Sequence, residues 1–358
     1  MPASSYRLGC SSVFIFVPEL LGGPVPGARI SENEAVSAMK ILVLNCGSSS
    51  VKYQLFELCG DTETVLAGGL VEEVGLGSPS LTHRRPDNEK WVRSDLALQN
   101  HRDAIQEVLR TLVDPAQGAL VSGAELDAVG HRVVHGGEQF AESVRISEKV
   151  MDALRANIPL APLHNPPNIQ GIEAIRTLLP ELPQVAVFDT AFHQTMEAPA
   201  YLYALPYRFY EAYGIRRYGF HGTSHKYVAQ QAAIYLGRPL SELKIATCHL
   251  GNGASITAVK YGESVMTSMG FTPLEGLAMG TRCGDIDPAL VFHLLRVTGM
   301  SHDQLESILN KESGLKGICG KTDMREVVGL AESGDDLAQL AIQMVAYRLK
   351  KYIGAYTA

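Results

Sequence analysis

Two segments of this sequence combine small residues and polar groups in a way that suits an anion. Asn45-Cys46-Gly47-Ser48-Ser49-Ser50 offers successive backbone N–H donors unshielded by bulky side chains, and such donors approach phosphate oxygens closely. Ser48, Ser49 and Ser50 add hydroxyls, and Lys52 adds a positive charge just beyond. Gly251-Asn252-Gly253, preceded by His249 and Leu250, is a second tip of the same kind. A single tip of this sort is ordinarily only a turn. Two in one chain point to a nucleotide clamped by two related units.

Further positions could do chemistry around such an anion. Arg132 stands in Gly130-His131-Arg132-Val133-Val134-His135-Gly136-Gly137 and Arg282 in Thr281-Arg282-Cys283-Gly284-Asp285. Taken singly, each reads as a surface or salt-bridge residue. As a facing pair they would match a substrate carrying a carboxylate and a phosphoryl group, because a guanidinium binds both bidentately. Asp189 closes the apolar run 185–188, where open α/β sheets present catalytic groups, although a helix cap explains it equally well. His221 and His225 are spaced like a metal pair, but the first precedes a predicted helix cap at Ser224 and the second lies inside that helix. Hydrogen-bond donation from His221 to a phosphoryl group in flight is therefore preferred over zinc binding. His164 and His249 either act similarly or satisfy nearby backbone groups.

The elements that must position these residues are mixed. Residues 41–44 read as a buried strand, and 51–56 alternate Val51, Tyr53 and Leu55 with polar partners, so 45–50 is the turn of a hairpin. The same design returns at 245–250 and 255–261, around the second glycine tip. Residues 104–112 have helical spacing, while 128–134 and 185–188 read as short strands. The proline-rich stretch 159–167 is expected to be a loop between two helices, and 192–218, aromatic and without period, an interdomain region. Ser224 is expected to cap a helix to about Leu236, Ser301 with Gln304 forms a capping-box pattern, and helices are expected after Thr322-Asp323 and from about Asp335. The predicted organisation is an extension over 1–38, a first domain over 39–193 and a second over 194–358.

Composition narrows the field of partners. With 46% hydrophobic residues, 358 residues can form two buried cores, and a net charge of -7 argues against nucleic acid or an anionic membrane. The apolar run 13–17 is far shorter than the roughly 20 residues a membrane span needs. No small-residue cleavage site follows it directly, so a cytoplasmic protein is expected. The six cysteines form no C-x-x-C pair, consistent with thiols in a reducing compartment. No G-x-x-x-x-G-K-[ST] loop and no G-x-G-x-x-G after a strand is present, so phosphate contacts fall to the two hairpins.

Taken together, the motifs resemble a known family. Leu44-Asn45-Cys46-Gly47-Ser48-Ser49-Ser50-Val51-Lys52-Tyr53 resembles the opening signature of acetate kinases, and Tyr218-Gly219-Phe220-His221-Gly222-Thr223-Ser224-His225 the second. Segments 130–137, 162–167, 188–194, 249–253 and 281–285 follow in family order. The resemblance implies an α/β fold of two duplicated actin-like (ribonuclease H-like) domains around a nucleotide cleft, in a homodimer. It implies magnesium, ATP and acetate, with acetyl phosphate and ADP as products of direct in-line transfer. Arg132 and Arg282 would grip the acetate and the equatorial oxygens, His221 and Arg282 would stabilise the transferred group, and Asp189 would place substrate and metal. Asn45 would lie at the metal. Ser48, Ser50, Lys52, His249, Leu250, Gly251, Asn252, Gly253, Asp323, Met324 and Arg325 would contact the nucleotide, and Val134, Leu163, Phe220 and Pro273 would receive the methyl group of the acid.

Family members continue beyond the end of this sequence with a glycine-rich segment on the adenosine side, a Glu that helps to hold magnesium, and helices returning to the first domain. The resemblance therefore implies an incomplete second domain and a truncated product of weak or no activity. Three readings stand at this point: a working acetate kinase, a propionate or butyrate kinase of the same family, and an inactive remnant.

Overall fold

The computed structural model describes residues 38–60, 62–87 and 90–358. The expected extension therefore falls, apart from Ala38, outside the described residues. The chain divides into two compact units, one reaching Ala191 and the other running from Phe192 to Ala358.

The first unit is built on eight strands: β1 (Met39–Cys46), β2 (Val51–Cys59), β3 (Thr62–Glu72), β4 (Ser80–Arg84), β5 (Lys90–Arg93), β6 (Ala128–Val133), β7 (Val144–Arg145) and β8 (Gln184–Phe188). They form one sheet in the order β5-β4-β3-β2-β1-β6-β8-β7. β1 is antiparallel to β2 and parallel to β6, and β6 is parallel to β8. A central strand flanked on both sides must be apolar on both faces. β1 meets this with Ile41, Leu42, Val43 and Leu44, all buried.

Three helices cover this sheet: α1 (His101–Leu112), α2 (Glu148–Ala156) and α3 (Asn165–Leu178). Asn100 caps α1, its side chain accepting from Asp103 N at 3.0 Å. Ile105, Val108 and Leu112 of α1 pack with Leu42, Leu44, Val51 and Leu55 in the main core. A second cluster joins Val133, Met151, Leu154, Ile172 and Phe188. The expected loop over 159–167 needs correction at its end, since Pro166 and Pro167 lie in the first turn of α3. Proline is well placed there, because a first-turn N–H has no intrahelical partner to lose.

The second unit carries a three-stranded antiparallel sheet, ordered β11-β10-β9, from β9 (Lys244–Leu250), β10 (Ala254–Lys260) and β11 (Glu263–Thr267). It repeats the antiparallel β3-β2-β1 part of the first sheet. Its helices are α4 (Ala198–Tyr201), α5 (Arg208–Tyr213), α6 (Gly222–Leu236), α7 (Pro288–Thr298), α8 (His302–Ser307), α9 (Gly314–Cys319), α10 (Met324–Glu332) and α11 (Asp336–Thr357). Ser301 and Gln304 form the expected capping box, and Asp323 and Asp335 cap α10 and α11. The expected cap at Ser224 is a correction: α6 begins at Gly222, with His221 as its N-cap in a left-handed conformation, φ 59°. Ser224 instead lies in the first turn, and its hydroxyl bonds His249 Nδ1 at 2.9 Å. Residues 192–218, read as an interdomain region, hold α4 and α5 and belong to the second unit. None of the five described cysteines is in a disulfide.

Candidate active-site residues

Parallel strands bring their carboxyl ends to one edge, and three neighbours in the first sheet end on polar residues. Asn45 is near the end of β1, Arg132 near the end of β6, and Asp189 directly after β8. Arg132 donates from Nε to Asp189 Oδ1 at 2.9 Å and from Nη2 to Oδ2 at 2.5 Å, a bidentate pair. Its Nη1 donates to Asn45 Oδ1 at 3.2 Å. Burial alone would lower the Arg132 pKa, but the Asp189 carboxylate more than offsets that and raises it. The guanidinium is thus held as a fixed cation with its fork already oriented.

Two asparagines that sequence reasoning passed over fix this edge. Asn168 is buried; its Nδ2 donates to Cys46 O at 2.7 Å and its Oδ1 accepts from Val134 N at 3.0 Å. Asn165 clasps His135 in the same manner, Nδ2 to the carbonyl at 3.0 Å and Oδ1 from the amide at 3.2 Å. They flank the paired prolines that open α3, and that pattern was their only signal. In the first hairpin, Gly47 N donates to Ser50 O at 2.8 Å, and Gly47 O bonds His101 Nε2 at 2.6 Å. Ser48 and Lys52 are exposed there.

On the second unit, the tip between β9 and β10 gathers four predicted residues. A Cβ on Gly253 would stand 3.2 Å from Arg282 Nη1 and 3.4 Å from Nε2 of His221. The His221 ring stacks on His249 with centroids 4.0 Å apart. Arg282 also donates from Nη1 to the carbonyl of Pro273 at 3.3 Å. Asn252 O accepts from Gly280 N at 3.0 Å, which ties the tip to the loop bearing Arg282, and Gly251 N donates to Gly253 O at 3.1 Å. Leu250 is largely exposed.

The remaining predicted positions are distributed between the units. Val134 is buried and Leu163 exposed on the first, while Phe220 is buried and Pro273 half-buried on the second. Asp323 and Arg325 pair with each other at the exposed start of α10, beside Met324. Beneath the His221 tip lie polar residues that the sequence did not reveal as partners. His225 bonds Thr247 Oγ1 and Ser255 Oγ, both at 2.7 Å, and His193 bonds Ser264 Oγ at 2.8 Å and Phe220 O at 2.9 Å. Burial, the largest influence, keeps the His225 pKa well below the usual histidine range.

The large mixed sheet of the first unit and the smaller antiparallel sheet of the second are those of an actin-like phosphotransferase. The chain belongs to the acetokinase family, whose profile matches residues 40–358. It is 57% identical over 320 residues to an acetate kinase of Carboxydothermus hydrogenoformans, covering 89% of this chain and 80% of that one. The crystal structure of Porphyromonas gingivalis acetate kinase superposes with a TM-score of 0.85 at 48% identity, covering 89% of this chain and 79% of that one. A propionate kinase from Francisella tularensis follows with a TM-score of 0.83 at 45% identity, covering 89% and 80%. Among the described residues, no helix is long and apolar enough to cross a membrane.

Proposed function

We propose that this protein transfers the γ-phosphoryl group of ATP to acetate, reversibly, giving acetyl phosphate and ADP. A carboxylate oxygen of acetate attacks the γ-phosphorus, and the bond from that phosphorus to the β–γ bridging oxygen breaks, its electron pair leaving with ADP. The observation that carries this reading is the convergence of Arg282, His221 and Gly253 at one tip, where cationic and N–H donors crowd the space a phosphoryl group needs. Phosphoryl transfer asks mainly for positioning and for positive charge around three oxygens, and no covalent enzyme intermediate is required.

In this reading Arg132, held by Asp189, binds the acetate carboxylate, while Arg282 and His221 stabilise the phosphoryl group. The nucleotide is contacted by Ser48, Ser50, Lys52, the 249–253 tip and residues 323–325. Val134, Leu163, Phe220 and Pro273 serve the methyl group. The two working domains are 39–193 and 194–358, a division that the separation at Ala191 and Phe192 supports.

A divalent ion fits the chemistry of Asn45 and Asp189, both hard oxygen donors. Asp189 already pairs with Arg132, so magnesium retaining most of its water suits them better than an ion needing a full protein cage. When bound, the ion would neutralise charge on the nucleotide phosphates. A homodimer in the cytoplasm completes the proposal, on family resemblance.

The propionate kinase likeness gives a second reading of the acid, and one methylene changes discrimination by only about 1 to 3 kcal/mol. A coupled assay of ADP formation with acetate, propionate and butyrate decides between them. The highest kcat/KM is expected on acetate. A higher value on propionate would establish the second reading, and no ADP formation with any acid would refute both.

A further inference from the structure

Resting on the phosphotransferase reading above, we infer that the Ser255 hydroxyl, oriented by His225 and Thr247, holds His221 in the tautomer that carries its proton on Nε2. These three are positioning residues, acting on the phosphoryl group only through His221.

Ser255 Oγ lies 2.8 Å from His221 Nδ1 and 2.7 Å from His225 Nε2. A hydroxyl has one hydrogen, so it donates to one ring nitrogen and accepts from the other. The two rings are thereby locked into complementary states while both are neutral. His225 is 1% exposed, with desolvation as the main influence favouring its neutral form.

The far end of the chain selects the direction. Thr247 Oγ1 stands 2.7 Å from His225 Nδ1 but 3.4 Å from its other acceptor, the carbonyl of Thr257. If Thr247 donates to His225, every proton sits in a short hydrogen bond: Thr247 O–H to Nδ1, His225 Nε2–H to Ser255, and Ser255 O–H to His221 Nδ1. In the opposite direction the Thr247 proton has only the 3.4 Å contact, at the outer limit of a hydrogen bond. A buried donor left without a good acceptor is costly enough to choose one direction.

The consequence falls at the tip. With Nδ1 accepting from Ser255, a neutral His221 keeps its hydrogen on Nε2, the nitrogen that faces Gly253 beside Arg282 Nη1. His221 can then donate to a phosphoryl oxygen without first being protonated. The left-handed backbone of His221 at the N-cap of α6 aims the ring at both Ser255 and the tip.

The test is two-bond 1H–15N correlation spectroscopy on the full chain labelled with 15N-histidine, at alkaline pH where the ring is neutral. His221 signals are assigned by their loss in His221→Gln. The expected result is an Nε2–H tautomer in the wild type, a shift towards Nδ1–H in Ser255→Ala, and restoration in Ser255→Thr. Alongside this, kcat of Ser255→Ala is expected to fall roughly 10- to 100-fold, by analogy with the loss of a group that orients a metal-ligating histidine, with KM for both substrates little changed. An Nδ1–H tautomer in the wild type, or an unaltered tautomer in Ser255→Ala, overturns the inference. The spectra read the tautomer whether or not the enzyme turns over acetate, so a failure of the proposed activity is separately visible.

Discussion

Arg132 gives the clearest residue-scale test, because its two hydrogen bonds to Asp189 leave neither group independent. Removing one partner of a largely buried ion pair typically costs about 3 to 5 kcal/mol, whereas loss of a single preorganised donor raises a barrier by about 3 to 4 kcal/mol. Asp189→Ala is therefore expected to lower both kcat/KM and the unfolding midpoint. Arg132→Lys is expected to lose at least tenfold in kcat/KM despite keeping the charge, since an ammonium cannot reproduce the planar fork. Steady-state kinetics with urea unfolding checks both, and near-wild-type turnover in Arg132→Lys would contradict the bidentate role. At this scale the sequence showed the chemistry-bearing types, Arg132, Asp189, His221 and Arg282, through glycine-flanked motifs. It did not show Asn165, Asn168 or Ser255, because their importance lies in partners 30 or more residues away.

The hairpins carry the element-scale predictions. Gly253 has no spare room, so Gly253→Ala would press a methyl group against Arg282 and His221. Because those contacts are the ends of side chains, about a tenfold or greater loss of kcat/KM is expected with a nearly unchanged Tm. Full activity in that variant would show that the tip is not where phosphate sits. The carboxyl end of β6 adds a pH dependence. His131 and His135 are buried, and desolvation, the leading cause, lowers both pKa values from 6.5 to about 4, with the Gln184 contact opposing it slightly at His131. Between those values the unfolded chain binds protons that the folded chain does not. The resulting stability is full above about pH 6.5 and is lost as pH falls towards 4, on the order of 3 kcal/mol for each residue. Thermal unfolding at pH 7 and pH 5 should show the fall, and His131→Asn should flatten it; an equally steep fall in the variant would point to other groups.

Elements were legible where a single period ruled. Both glycine-tipped hairpins and the caps at Ser301, Asp323 and Asp335 follow from local pattern. β3 escaped notice because Gly68-Gly69 reads as a turn, yet a Cβ on Gly69 would stand 2.6 Å from the Tyr53 ring, so the glycine is needed for strand packing. α7 escaped because residues 289–295 are apolar at nearly every position and mark no polar face. The α6 cap was misplaced, Ser224 being expected where His221 stands, because a left-handed histidine precedes the first turn.

At the scale of the whole molecule, the resemblance did more than periodicity. Local pattern yielded strands and helices, but the order β3-β2-β1-β6-β8 within the first sheet depends on parallel pairings that no local spacing encodes. Ligand linkage offers one prediction here: magnesium ATP at a hundredfold excess over its Kd should stabilise the protein by about 2.7 kcal/mol, and a chelator should remove most of that shift. Thermal shift with ATP, with magnesium ATP and with added EDTA measures it, and an identical Tm in all three would deny a nucleotide site. The most direct test of the central claim is a hydroxamate assay for acetyl phosphate, run on the 358-residue chain with acetate and magnesium ATP beside Arg282→Ala. The expected result is acetyl phosphate formation that the variant reduces about 10²- to 10³-fold. Folded protein that makes no acetyl phosphate, or a variant as active as the wild type, would contradict it.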